Sequence, residues 1–359
     1  ATLKDIKRKN LTTQEQIDYI KKVQKRGKTA TCELIIPLPG ETEETYLEGM
    51  KFLMDNNVKT HTYTLMMLSG TELGRENAIK KYGMKSKYRI LPKQFGDYRG
   101  EKIFEIEKIC VETNTMNFQS YLNCRNYNFI VQLLGSPFFG PVYELVRKLD
   151  ICWYEFSRKI YEMVKDKDFN GQLKDLYNEF CVESFNELFD TEEEAIEHYS
   201  KKDNYESLLK GDVGENLLGK YTAKGLFVYD DILTSIFYVL RSKFINAKID
   251  RFNSILNSSE KWLKNLYTVN EIFDEKKDAR EITKHKVNID FDFPSWLSKS
   301  HLPLDQFKKK STYEMDFDFK KINNLRNQLK FIDEKDKQRA FSRYLMQHMS
   351  KGSYIFEKN

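Results

Sequence analysis

Two short apolar segments near the N-terminus, joined by one amphipathic segment, constrain the fold more than any other feature of the sequence. Residues 31–36 and 61–67 have the composition of strands, and a Pro-Leu-Pro-Gly sequence at 37–40 ends the first one. After it, Thr42 precedes two glutamates and a stripe of apolar residues at helical spacing, which predicts a capped helix. About 29 residues separate one strand from the next, as in a β–α–β crossover, so we expect the two strands to be parallel.

A second capping signal lies upstream of this unit. Thr12-Thr13-Gln14-Glu15 has the pattern of a capping box and predicts another helix before the first strand. Parallel sheets need both faces covered, and two strands do not make a sheet that stands alone. No comparable strand occurs before this helix or directly after residue 67. The sequence therefore predicts an α/β fold made of the last βα units of a partial TIM-like barrel or sheet.

From about residue 101 onward the pattern changes to helical periodicity. The most regular stretch runs from Val142 to Met163, and a cluster of Gly and Pro at 135–141 predicts a break between helices. Further helices are predicted over 101–113, 118–134, 171–189, 192–210, 227–256 and 258–268.

Near the C-terminus the periodicity switches from helical to alternating. Apolar and polar residues alternate over 287–293 and again over 313–319, which predicts a short pair of half-buried strands. A last helix is predicted over about 335–350. These changes predict a barrel portion, a helical region, and a β pair with a terminal helix, at residues 1–100, 101–280 and 281–359.

Charge and cysteine content bear on several functional classes. The chain has 59 Lys and Arg against 54 Asp and Glu, and the net charge of +5 gives no indication of nucleic-acid binding. No apolar run reaches the ~18 residues of a transmembrane segment. The cysteines are widely spaced, at Cys32, Cys110, Cys124, Cys152 and Cys181. This spacing predicts reduced thiols in a cytoplasmic protein and no metal site on this chain.

The most specific signal lies at the two strand ends. Residues 37–42 read Pro-Leu-Pro-Gly-Glu-Thr, residues 69–71 read Ser-Gly-Thr, and Arg8-Lys9-Asn10 precedes the first capped helix. In order and spacing, these segments resemble the ends of the fifth and sixth barrel strands of radical S-adenosylmethionine enzymes, in the subgroup with an N-terminal cobalamin-binding domain. The resemblance covers about residues 5–75. It departs at Pro37 and Ser69, where the family usually has Gly and Pro, and the CxxxCxxC triplet is absent.

The resemblance implies a C-terminal fragment of such an enzyme, incomplete and inactive as this chain alone. Its cofactors would be S-adenosylmethionine, a 4Fe-4S cluster and cobalamin, with the ligands of the last two outside this chain. The implied chemistry is a 5′-deoxyadenosyl radical that serves methyl transfer to, or rearrangement of, an unidentified small-molecule, lipid or peptide substrate. A flavodoxin or ferredoxin would donate the electron.

The resemblance also assigns cofactor-binding roles to five residues, although it identifies no catalytic residue. Ile35 would contact the adenine ring, and Glu41 would lie at the rim of the site. Leu65 and Met66 would offer backbone groups to the adenine edge. Gly40 would let the backbone approach the ligand closely.

Several alternatives stay open from the sequence. Ile35 could be sheet core only, Glu41 could serve only the helix dipole, and Gly40 could merely permit a turn. The enzyme could be a radical S-adenosylmethionine oxidoreductase that transfers no methyl group. In a third interpretation the helical region is a docking module, and the chain is a partner-binding protein without catalysis.

Overall fold

The computed structural model describes residues 11–26, 28, 30–244, 250–266, 269–281, 285–299, 302–317, 319–332, 334–349 and 356–358. Arg8-Lys9-Asn10 therefore lies outside the described residues. The chain is a mixed α/β protein and divides into two compact units, Ala1–Phe129 with Glu179–Leu217 and Ile130–Asn178 with Leu218–Asn359. The three domains predicted from the sequence stay a prediction.

The first unit opens with two helix–strand pairs: α1 (Thr13–Lys25), β1 (Thr31–Ile36), α2 (Glu43–Asp55) and β2 (Lys59–Thr64). β1 and β2 are parallel, which confirms the prediction from their spacing, and Ile35 lies opposite Tyr63 in the register. Thr12 and Thr42 cap the two helices as predicted; a capping box was predicted only at Thr12, and the structure has one at Thr42 as well. The helices cover one face of the strand pair, where Cys32 and Leu34 pack into a small apolar core with α1 and α2.

The second predicted strand is shorter than expected because the chain changes partner after Thr64. Residues 65–67 pair antiparallel with the strand that carries Ile109, through hydrogen bonds from Met67 N to Lys108 O (2.8 Å) and from Cys110 N to Leu65 O (2.8 Å). The next elements are α3 (Glu76–Tyr82), β3 (Lys85–Tyr98) and β4 (Glu101–Glu112). The strand beside residues 65–67 is thus antiparallel to β2.

The helix predicted over 101–113 is wrong, since these residues form β4, which pairs antiparallel with β3. Ile103, Ile106 and Ile109 are three residues apart and imitate a helical stripe, although their branched side chains favour a strand. Arg99 and Gly100 connect the two strands with φ of 59° and 91°. Positive φ at both central residues is typical of the tightest hairpin turns.

The rest of the chain is mainly helical. Its helices are α4 (Phe118–Leu134), α5 (Gly140–Lys148), α6 (Trp153–Lys165), α7 (Gln172–Asn186), α8 (Glu192–Ser200), α9 (Lys202–Lys210), α10 (Leu217–Phe227), α11 (Tyr229–Val239), α12 (Asp250–Lys264) and α13 (Val269–Phe273). Then follow β5 (His285–Phe291), α14 (Phe293–Leu297), β6 (Lys308–Phe317), α15 (Phe319–Leu329), α16 (Glu334–Met349) and β7 (Phe356–Lys358). Within the described ranges, no single helix combines the length and apolar composition of a membrane span, and Phe118–Leu134 with Pro137–Lys148 meets that test only as a bent pair.

Several helices and the C-terminal strands follow the sequence prediction. α4, α7 and α16 agree with the predicted segments, and the short 3₁₀ helix Pro137–Phe139 occupies the break predicted over 135–141. β5 and β6 form the predicted pair and are antiparallel. β7 pairs antiparallel with the other edge of β6.

Other predicted helices are divided by local backbone geometry. The stretch from Val142 to Met163 breaks where Asp150 takes a φ of 55°, and the segment 192–210 breaks at Lys201, which is extended. The predicted helices 227–256 and 258–268 have the wrong boundary, because α11 ends in a π turn at Leu240–Phe244 and α12 runs through residue 257. Helical spacing of apolar residues therefore placed the buried faces but not the ends.

A buried arginine stabilises the second unit. Arg326 of α15 is only 6% exposed and donates to the carbonyl oxygens of Glu271 (2.9 Å), Ile272 (2.9 Å) and Lys277 (2.5 Å). These carbonyls lie in and after the short helix α13, so the guanidinium satisfies backbone acceptors that α13 leaves without helical partners.

We expect Arg326→Met to lower the free energy of unfolding by about 2–4 kcal/mol, because three buried acceptors lose a charged donor. Urea unfolding followed by circular dichroism measures the change. Arg280→Met is the matched control, since Arg280 pairs with Asp278 at a side-chain exposure of 74%. The control should change stability by less than about 0.5 kcal/mol, and equal losses in both variants would contradict the stabilising role of Arg326.

Candidate ligand-binding site at the ends of the parallel strands

The two strand ends form turns of the same kind. In the first turn Glu41 N donates to Leu38 O (3.1 Å), and in the second Thr71 N donates to Leu68 O (3.3 Å). The third residue of each turn is a glycine with positive φ, 81° at Gly40 and 82° at Gly70. A β-turn with positive φ at its third position strongly favours glycine there. Both turns lie beyond the carboxyl ends of the strands, where α/β folds bind ligands.

Glu41 has an unusual environment for a charged residue. Its Oε2 atom is buried and has no hydrogen-bond partner in the part of the chain that the structure describes. Its backbone is held on both sides, by the turn and by Thr115 Oγ1, which donates to Glu41 O (2.7 Å). Burial raises the pKa of the Glu41 carboxyl to about 7 from an ordinary value of 4.5, against the opposing effect of hydrogen bonding with the Leu38 backbone. A hydrogen-bond donor or a positive charge would favour its ionised form.

Leu65 and Met66 differ in what their backbones can offer. Leu65 N donates to Ile36 O (2.7 Å), and Leu65 O accepts from Cys110 N, so both of its peptide groups are used within the sheets. Met66 pairs opposite Ile109 at a position where neither of its own peptide groups bonds to another backbone group among the described residues. Its side chain is partly exposed. Of the two predicted residues, Met66 is the one with available backbone groups.

Ile35 lies on the face of the strand pair that α1 and α2 do not cover, because side chains alternate along a strand. It is half-buried and packs against the apolar cluster of Leu65, Met67, Met84 and Cys110. Tyr63, opposite Ile35 in the register, is 53% exposed. The structure thus brings Ile35 and Leu65 into one apolar cluster, and an aromatic ring lies open to solvent beside it.

Sequence reasoning missed the contribution of the loop after β4. Thr113 Oγ1 accepts hydrogen bonds from the amides of Thr115 (3.3 Å) and Met116 (3.2 Å), and Thr115 in turn holds Glu41. Thr115 is 74 positions from Glu41, which it supports. No local pattern links them, although Thr-Asn-Thr after a strand is a plausible turn sequence.

Comparison with protein families and curated proteins finds no relative of this chain. No protein-family model matches the chain, and no curated protein matches it. Over the described ranges, no three His, Cys, Asp or Glu side chains come together in a way that could hold a metal ion. The geometry of the strand ends is therefore the basis for any functional inference.

Proposed function

We propose that the chain is the C-terminal part of a radical S-adenosylmethionine enzyme and that the strand-end site binds S-adenosylmethionine. The observation that carries this proposal is the buried Oε2 of Glu41, which has no hydrogen-bond partner among the described residues and follows the carboxyl end of a parallel strand. A buried polar atom without a partner is costly, and a ligand that donates a hydrogen bond removes the cost. S-adenosylmethionine offers an ammonium group, ribose hydroxyls and a sulfonium charge, which all suit a carboxylate.

Each strand end has its own task in this proposal. Gly40 lets the backbone of the first turn approach the ligand without a Cβ in the way. Met66 offers its peptide groups to the adenine edge, and Ile35 gives the ring an apolar contact. Leu65 supports the site through packing and sheet hydrogen bonds, since its own peptide groups are occupied.

Among the described residues, no three His, Cys, Asp or Glu side chains come together to hold a metal ion, so these residues offer no ligand set for an iron–sulfur cluster. In the proposal the ligands of the cluster and of cobalamin, and the contact with a flavodoxin or ferredoxin, belong to other parts of the enzyme. When bound, S-adenosylmethionine supplies a methyl group or, after one-electron reduction, a 5′-deoxyadenosyl radical. The residues of this chain bind and orient it for methyl transfer to, or rearrangement of, a small-molecule, lipid or peptide substrate in the cytoplasm.

Gly40→Ala tests the proposal in the full chain. We expect a Cβ at a φ of 81° to cost about 1 kcal/mol of stability and to weaken S-adenosylmethionine binding about tenfold, because the backbone shifts away from the ligand. Isothermal titration calorimetry gives the affinity, and thermal unfolding gives the stability.

The matched control is Gly100→Ala. Gly100 has a φ of 91°, and a Cβ built there meets nothing within 4 Å, so the substitution carries the same backbone strain at the β3–β4 turn. It should lower the melting temperature by a similar amount and leave the affinity unchanged. The proposal fails if the wild-type chain does not bind S-adenosylmethionine, or if both variants lose affinity equally.

A further inference from the structure

Four charged side chains form a buried cluster in the first unit: Arg89 of β3, Glu107 of β4, Arg125 of α4 and Glu187 just after α7. We call these four residues the charge cluster. Arg89 Nε donates to Glu107 Oε1 (2.5 Å), and Arg89 Nη1 donates to Glu187 Oε1 (3.1 Å). Glu187 Oε1 also accepts from Arg125 Nη2 (2.5 Å). The side chains are 7–18% exposed, so the pairs are largely shielded from water.

A buried ionic cluster is not the most stabilising arrangement for a protein core. Removing charges from water costs several kcal/mol per ion, and well-packed apolar residues often give equal or greater stability. The charges balance, with two arginines against two glutamates, and Arg125 Nε also donates to Ser184 Oγ (3.2 Å). Charge-assisted hydrogen bonds fix the relative orientation of the side chains that they join, whereas apolar packing does not.

The charge cluster is connected through β4 to residues 65–67, which follow β2. Glu107 directly precedes Lys108, whose carbonyl accepts from Met67 N, and Cys110 N donates to Leu65 O. Because Arg89 holds Glu107, it also fixes the part of β4 on which residues 65–67 pair.

A second connection runs through Tyr121, which is fully buried. Its hydroxyl lies 3.2 Å from Thr64 Oγ1, at the last residue of β2. Tyr121 also lies near the Arg89 guanidinium. Residues 64–67 are thus held from two directions, and Arg89 lies beside both.

We propose that Arg89 is a positioning residue: by binding Glu107 and Glu187 it fixes β4 against residues 65–67 and so sets the backbone of Met66 for its ligand. Only the last clause rests on the proposed function, whereas the effect on residues 65–67 concerns this chain alone. Arg89 itself need not touch the ligand.

The test follows amide hydrogen exchange at single residues in Arg89→Met, Arg89→Lys and the wild-type chain. Met67 and Cys110 report the hydrogen bonds between residues 65–67 and β4, and Lys59, which donates to Ala30 O (2.9 Å), reports the β1–β2 region. We expect exchange at Met67 and Cys110 to rise at least about tenfold more than at Lys59 in Arg89→Met. Arg89→Lys keeps a positively charged hydrogen-bond donor, so the rise in exchange should be smaller. This variant replaces Arg89→Met in the experiment if Arg89→Met does not fold.

Lys85→Met is the matched control, because Lys85 pairs with Glu112 across the same two strands at 2.5 Å and is 70% exposed. It should change none of the three amides. An equal rise at Lys59, Met67 and Cys110 in both Arg89 variants would overturn the inference, since it would indicate a general loss of stability.

A parallel titration with S-adenosylmethionine separates this inference from the proposed function. If the wild-type chain binds and Arg89→Lys binds at least about fivefold more weakly at a temperature where both chains are fully folded, both hold. If the wild-type chain does not bind, the proposed function fails, and the exchange data still decide the role of Arg89.

Discussion

Replacing Glu187 by alanine is expected to lower the free energy of unfolding by about 3–5 kcal/mol. Glu187 Oε1 accepts from both Arg89 and Arg125, and its own side chain is only 11% exposed. Its removal leaves one buried guanidinium without a carboxylate and the other with a single one. Urea unfolding of the full chain measures the loss.

Glu206→Ala is a suitable control for this prediction. Glu206 is an exposed residue of α9, so its replacement should change stability by less than about 0.5 kcal/mol. A loss at Glu187 no larger than that of the control would mean that the charge cluster contributes little to the fold.

The second large effect is a dependence of stability on pH that originates at Glu41. Because its pKa is raised to about 7 in the folded chain, the folded state holds this proton over a range where the unfolded chain has lost it. The contribution of Glu41 to stability is therefore favourable at low pH and is lost as the pH rises from about 4.5 to 7. The full shift corresponds to about 3 kcal/mol, which partial exposure of the residue reduces to about 2 kcal/mol.

Glu41→Gln should remove this dependence, because glutamine stays neutral. We expect the variant to be more stable than the wild-type chain at pH 8 by about 2 kcal/mol and nearly equal to it at pH 4.5. Chemical denaturation at the two pH values gives the difference. An identical difference at both values would show that the Glu41 carboxyl has no raised pKa.

The same titration predicts how the proposed ligand binds. A cation prefers the ionised carboxylate, which is the minor form below pH 7 and the major form above it. If only the ionised form binds, affinity for S-adenosylmethionine should rise about tenfold between pH 6 and pH 8. In Glu41→Gln the affinity should be weaker and nearly independent of pH.

The parts of the fold that depend on nearby residues were predictable from sequence. The helix caps at Thr12 and Thr42, the parallel β1–β2 pair and the β5–β6 pair all follow from patterns within about 30 residues. β4 was misread because its isoleucines are three residues apart, and a strand is defined by its partner as well as by its own sequence. The change of partner after Thr64 depends on β4 and could not be inferred from β2 alone.

The candidate site was predictable only in outline. The Pro-Leu-Pro-Gly-Glu-Thr sequence predicted a turn at Gly40, and the structure has this turn. The place of Glu41 at the rim of a ligand site stays a prediction. That Oε2 of Glu41 is buried without a partner depends on packing from distant segments, which no local pattern specifies. The charge cluster joins residues up to 98 positions apart, so its members could not be distinguished from ordinary surface charges.

Hydrogen exchange of the full chain with and without S-adenosylmethionine tests the central claim most directly. The site proposed at the strand ends predicts slower exchange in peptides that cover residues 37–42 and 65–71 when the ligand is present, and unchanged exchange over β5 and β6. Protection confined to other segments, or no protection at any ligand concentration up to about 1 mM, would contradict it.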